Sequence, residues 1–130
     1  MQFRVTAEVV DANHHVNNVA YVKWMQDAAI AHANACGGVR LAKEIDGSWF
    51  VRMHRIEYRK PAFLNDEITV LTWVANWRKV RSLRRYRFMR SETLLAEGET
   101  DWVFVDAVTG RPKQITEQIV TAFGLAEGDP

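Results

Sequence analysis

Residues 11–38 read DANHHVNNVAYVKWMQDAAIAHANACGG, and their character changes after the eighth. The opening residues, Asp11, Asn13, His14, His15, Asn17 and Asn18, are polar and turn-forming. From there Val19, Ala20, Val22, Trp24, Met25, Ala28 and Ala29 recur at helical spacing, with no proline or glycine before Gly37. The spacing predicts a helix over 18–36, capped by Asn17 or Asn18 and stopped by a left-handed Gly37-Gly38. Apolar residues go most of the way round it, which predicts a central helix enclosed on most sides.

Working outward, residues 3–10 alternate and predict a short strand running into the polar cluster. After a turn at Asp46-Gly47, segments 49–59, 67–77, 82–90 and 95–106 are rich in Val, Ile, Thr and aromatic residues. They predict four further strands. On the second of these, alternation sends Leu71, Trp73 and Trp77 to one face and Ile68, Val70 and Val74 to the other. Both faces being apolar, the outer one is expected to meet another subunit. The tail from Pro112 to Pro130 reads as a short amphipathic segment ending in a helical turn. Strand, long helix, then strands define an α+β domain with an antiparallel sheet curled round one helix, a single domain over 1–130.

The chain has 130 residues, 48% apolar and 25% charged, a globular balance that excludes disorder. Its net charge of +1 excludes the whole-domain basic footprint of a nucleic-acid binder. One cysteine, Cys36, excludes an intrachain disulfide and suits a reducing compartment. No secretory pattern opens the chain and no apolar run approaches the roughly 18 residues that would span a bilayer, so a soluble cytoplasmic protein is expected, without membrane partners. Four histidines and one cysteine show no closed metal-ligand spacing, so no metal is expected.

The chemistry concentrates in residues 11–18, with one carboxylate, three amides and two imidazoles before a helix start. Two readings stand. Asx residues crowd into turns and caps for conformational reasons alone. Equally, first-turn N–H groups hold a developing oxyanion, and a carboxylate or imidazole beside them activates water or attacks a carbonyl.

Asp11-Ala12-Asn13-His14-His15-Val16-Asn17-Asn18-Val19-Ala20-Tyr21-Val22-Lys23-Trp24 resembles the D-x-N-x-H-V-N-N-x-x-Y-x-x-W signature of hot-dog-fold acyl thioesterases. It is also similar to the D-x-x-G-H-V-N-N-x-x-Y pattern of the hydroxybenzoyl-CoA thioesterase-like branch. Ile56-Glu57-Tyr58-Arg59-Lys60-Pro61-Ala62 with Asp66 resembles that family's second strand and turn. Leu95-Ala96-Glu97-Gly98, Trp102 to Asp106 and Thr109-Gly110-Arg111-Pro112 resemble its last hairpin.

The resemblance implies a homodimer or homotetramer that hydrolyses an acyl-CoA or acyl-ACP thioester with water and no cofactor. It implies Asp11 as nucleophile or general base and Asn13 and His15 as polar partners. The N–H groups near Asn18, Val19 and Ala20 then form the oxyanion hole, with Tyr21 on the substrate side. The acyl-ACP branch places glutamate and cysteine where this chain has Pro61 and Ala62, and it uses two tandem domains. The CoA branch places glycine where this chain has His14.

Between Arg78 and Arg90, seven of thirteen residues are basic. One reading is a solvated hairpin balanced by Glu92, Glu97, Glu99 and Asp101 across strands. The other is a phosphate site for the carrier, with Arg78, Lys79, Arg81 and Ser82 near the turn. His32 and Cys36, four apart on the helix, read as core rather than as a nucleophilic pair. Two other classes remain: a non-catalytic acyl-carrier binding module, and a hot-dog dehydratase using Asp27.

Overall fold

Helix α1 (Asn18–Ala35) forms where the spacing predicts it. Asn17 is the cap, its Oδ1 accepting the Ala20 N–H at 2.9 Å. The computed structural model describes residues 1–124. Its strands are β1 (Gln2–Arg4), β2 (Gly47–Tyr58), β3 (Glu67–Arg78), β4 (Arg81–Arg90) and β5 (Thr93–Asp106). They form one antiparallel sheet in the order β1-β3-β4-β5-β2. Two short helices, α2 (Gly38–Glu44) and α3 (Glu117–Phe123), pack on each other and against β2 and β3.

One face of α1 is buried, through Ala20, Tyr21, Trp24, Met25, Ala28 and Ala29. They join Ile68, Val70, Tyr86, Phe88, Leu95 and Ala96 of the sheet in one cluster. Gly98 makes the close approach possible: a Cβ there would stand 3.0 Å from the Met25 Sδ. The expectation of a helix wrapped on most sides is corrected. Val19 is 77% exposed and Ile30 55%, because five strands curl past only one side of the helix.

Four further expectations need correction. The first strand ends at Arg4; the chain leaves the sheet edge in a 3₁₀ turn (Ala7–Val9) that carries Val10 to pair with Val16. Gly37 alone is left-handed (φ +84°), and Gly38, buried, starts α2, a seven-residue helix too short for its periodicity to announce. Ala75 is an extra residue in β3: Val74 pairs with Arg84 but Trp77 with Ser82. This bulge rotates Trp77 to the inner face, where it packs with Trp49 and Phe123. Last, the outer face is not generally apolar. Beside Leu71 and Trp73 run cross-strand pairs of opposite charge, Arg87 with Glu97 and Arg85 with Glu99.

The helical turn expected in the tail is α3, its Thr116 Oγ1 accepting the Ile119 N–H. Residues 125–130 of that segment lie outside the described residues. No helix among the described residues is long and apolar enough to cross a membrane.

At the Asp46-Gly47 turn the left-handed residue is Asp46 (φ +53°), not the glycine. Gly47 is required by packing, since a Cβ would meet the buried Phe104 ring at 2.1 Å. Gly47→Ala is therefore expected to destabilise the fold by about 1–3 kcal/mol in urea unfolding, the range for overpacked cores.

Candidate active site

The loop before α1 is closed by its own backbone. Val10 pairs with Val16, the Asn17 N–H donates to the Val9 carbonyl (2.8 Å), and the Asp11 N–H donates to the His15 carbonyl (2.8 Å). Inside this closure the Asp11 carboxylate accepts the N–H of Asn13 (2.9 Å) and that of His15 (3.2 Å), both on Oδ1. Oδ2 carries none of these bonds. Asp11, Asn13 and His15 are exposed, so the carboxylate is fixed in position yet open to solvent.

His14 adopts a left-handed backbone (φ +67°), which lets the loop reverse so tightly. That geometry explains why glycine suits this position in the resembling branch.

The segment between β2 and β3 braces the loop. The Val16 N–H donates to Ala62 O (2.9 Å), and His15 pairs with Phe63 and meets its ring edge-on at 5.4 Å. Arg90 Nη1 donates to Asp66 Oδ2 (2.8 Å) and Pro61 O (3.2 Å), while Asp66 accepts the Phe63 N–H (2.8 Å). Sequence reasoning missed Phe63, Arg90, Asp66 and Tyr58 as neighbours of the site. Tyr58 and Asp66 stood in the quoted strand-and-turn motif; Phe63 carried no signal, and Arg90 stood out only as the end of the basic run.

At the first turn of α1, the Ala20 N–H is engaged by the Asn17 cap. Of the three N–H groups assigned to an oxyanion, those of Asn18 and Val19 precede the capped one and sit on an exposed turn. Tyr21 is buried, its ring edge-to-face with Trp24, Tyr58 and Phe88 at 5.1–5.2 Å. Burial, with Tyr58 adding to it, pushes its hydroxyl up to about 12, so it remains a neutral phenol.

The basic hairpin is not part of this loop. Its turn lies at the opposite end of β4 from Arg90, about 30 Å along the strand at 3.3 Å per residue. Its four residues also diverge. Arg78 and Lys79 are exposed, Arg81 is paired with Asp101, and Ser82 is buried on the inner face. Arg84, counted with the solvated hairpin, is only 3% exposed and faces inward. Arg85, Arg87 and Arg90 have carboxylate partners across strands or loop. His32 and Cys36 do not pair: the imidazole meets Arg84, and the thiol reaches Ala33 O at 3.6 Å.

The match to known proteins agrees with this geometry. Residues 5–123 match the model of the thioesterase-like superfamily, and the chain belongs to it. It is 27% identical over 124 residues to the acyl-CoA thioester hydrolase YbgC of Escherichia coli O6:H1, covering 92% of this chain and 91% of the relative. Among solved structures, the YbaW probable thioesterase from Escherichia coli superposes with a TM-score of 0.87 at 18% identity, covering 94% and 93% of the two chains. BH1999 gentisyl-coenzyme A thioesterase superposes at 0.81 with 19% identity, covering 94% and 97%. These likenesses establish the hot-dog fold.

Two predictions follow from the site's geometry. Replacing His14 by glycine relieves the left-handed strain against a gain in unfolded-chain entropy, for a net stabilisation of about 0.5 kcal/mol. His14→Val, β-branched, is expected to lose about 1 kcal/mol or more, both read by chemical denaturation. Asp101 is nearly buried; burial opposes its charge, but hydrogen bonds from Arg81 and Arg52 (Nε to Oδ2, 2.7 Å) outweigh it and hold the carboxyl below its ordinary value. A depressed carboxyl adds stability above its unfolded pKa and loses it as pH falls through the folded one. Asp101→Asn should therefore cost about 1–2 kcal/mol at pH 7, discounted for the exposure of both arginines. The difference from wild type should shrink in acid unfolding as the pH falls below the ordinary aspartate range and through the depressed folded pKa.

Proposed function

We propose that this protein is an acyl-CoA thioesterase in which the Asp11 loop performs the chemistry. The observation that carries this reading is the Asp11 carboxylate, anchored through Oδ1 by two N–H groups and exposed beside the start of α1. A thioester carbonyl placed on the Asn18 and Val19 N–H groups has its developing oxyanion at the positive end of the helix. One such donor contributes about 3 kcal/mol in the transition state. Asp11 takes a proton from water as it adds to the carbonyl, or attacks directly to give an anhydride that water opens. By either route the C–S bond breaks, the thiolate leaves and takes a proton, and a free acid remains. Asn13 and His15 orient the water or polarise the carbonyl.

CoA is the favoured carrier. Pro61 and Ala62 replace the acyl-ACP branch's glutamate and cysteine, and left-handed His14 occupies the glycine position of the CoA branch. Two of the similar proteins, an acyl-CoA thioester hydrolase and a gentisyl-coenzyme A thioesterase, support the same carrier. Another neighbour, SAV2348 from Staphylococcus aureus, was solved in complex with CoA (TM-score 0.83, 18% identity, covering 94% of this chain and 78% of that one).

Arg78 and Lys79 are the exposed cations left for the carrier's phosphates, with Arg81 available if it leaves Asp101. Because hairpin and loop stand at opposite ends of one sheet, a site using both takes its hairpin from a second copy. The 12-residue β2, at the sheet edge, offers the unpaired backbone for such an assembly.

Thiol release from a panel of aliphatic and aromatic acyl-CoAs tests the reading. Asp11→Asn keeps an oxygen to accept the loop N–H groups, so its circular dichroism should match wild type while turnover falls by a factor of about 100 or more. Turnover unchanged in Asp11→Asn would remove Asp11 from the chemistry.

A further inference from the structure

At the end of α1 remote from the Asp11 loop, helix and sheet part around a cavity of about 320 Å³. Ala29 and Ala33 form one wall; Trp49, Trp77 and Trp102 form the other. No acidic side chain lines it among the described residues. Arg84 does line it, and of the described residues only His32 Nδ1 (2.9 Å) and Thr72 Oγ1 (3.2 Å) share hydrogen bonds with its guanidinium. An arginine only donates, so His32 accepts through Nδ1 and is neutral. No ion pair among the described residues includes Arg84. The indole N–H groups of Trp49 and Trp77 are buried without an acceptor there, while that of Trp102 has the Tyr86 hydroxyl beside it. The region thus holds a buried positive charge and more donors than acceptors; the face of the Phe123 ring lies 5.6 Å from the guanidinium, and no carboxylate among the described residues pairs with it. An isolated buried charge is costly, and a ligand anion would offset that cost.

We propose that this cavity binds a small organic carboxylate with an apolar body, its head on Arg84 and its body against the indole faces. One buried guanidinium matches one planar, singly charged carboxylate, whereas a phosphate brings more charge than these walls compensate. The volume and the apolar lining suit a small-molecule site. Within one chain it is remote from the Asp11 loop: Asn18 and Ala29 are eleven residues apart on the helix, about 17 Å. Thioester hydrolysis releases acids of this class, so the site gives a product a second place to bind, but the proposal does not rest on the catalytic reading.

Calorimetric titration of the full-length protein with octanoate and with octanamide tests it without any turnover. Octanoate should bind once per chain and quench or shift tryptophan emission, and octanamide should bind at least tenfold more weakly. Arg84→Met should bring octanoate down to the amide's affinity. Ala33→Phe, which fills the cavity from the helix side, should abolish binding, and it stands as an independent variant if Arg84→Met does not fold. Equal affinities for acid and amide, no octanoate binding at millimolar concentration, or undiminished binding in either folded variant would overturn the proposal.

Discussion

The seat of α1 on the sheet is the contact on which the rest depends. Met25 is completely buried and lies over Gly98, where a Cβ would stand 3.0 Å from its sulfur and crowd it. With the helix that close, Tyr21 and Trp24 reach Phe88, and the core closes around them. The same contact fixes where the helix begins. Asn17 must cap at that point, and the loop before it must reverse within a few residues. The left-handed His14, the anchored Asp11 and the exposed first turn all go with the placement of a helix half of whose buried residues are alanine.

Much of this was legible beforehand because the signals are local. The long helix and its cap, four strands within a few residues of their observed ends, and the antiparallel α+β class follow from periodicity and turn chemistry. The polar loop was legible as one unit because its residues are contiguous. What escaped depends on tertiary packing. Phe63 and Arg90 reach the loop only through the segment between β2 and β3, and neither belongs to a spacing pattern. The inward turn of Arg84 could not be told from its exposed neighbours in a run of arginines, since alternation alone does not say which face is inner. The bulge at Ala75 has no mark in the sequence, so strict alternation assigned Trp77 to the wrong side.

The two clusters of the core divide the labour. One, around Met25, Tyr21 and Phe88, supports the loop and the first turn of α1. The other gathers Phe104, Ile115 and Ile119 with Trp49, Trp77 and Phe123 beneath the short helices. The cavity lies where the two meet, with Ala29 and Trp102 from the first cluster, Trp49, Trp77 and Phe123 from the second, and the buried Arg84 between them. The outer face contributes in a different way: its alternating Arg and Glu rows pair across strands and give the sheet a polar exterior.

Ala75 also bears on how such a chain can change over generations. One residue of insertion in β3 sets the phase of everything after it, so that Trp77 serves as a wall of the interior while Trp73 stands outside. A lineage that lost this single codon would keep its hairpin and its composition yet turn an indole out to solvent and open the interior at that end. Insertion and deletion, more than substitution, are thus the genetic steps to which the shape of this half of the molecule is most sensitive.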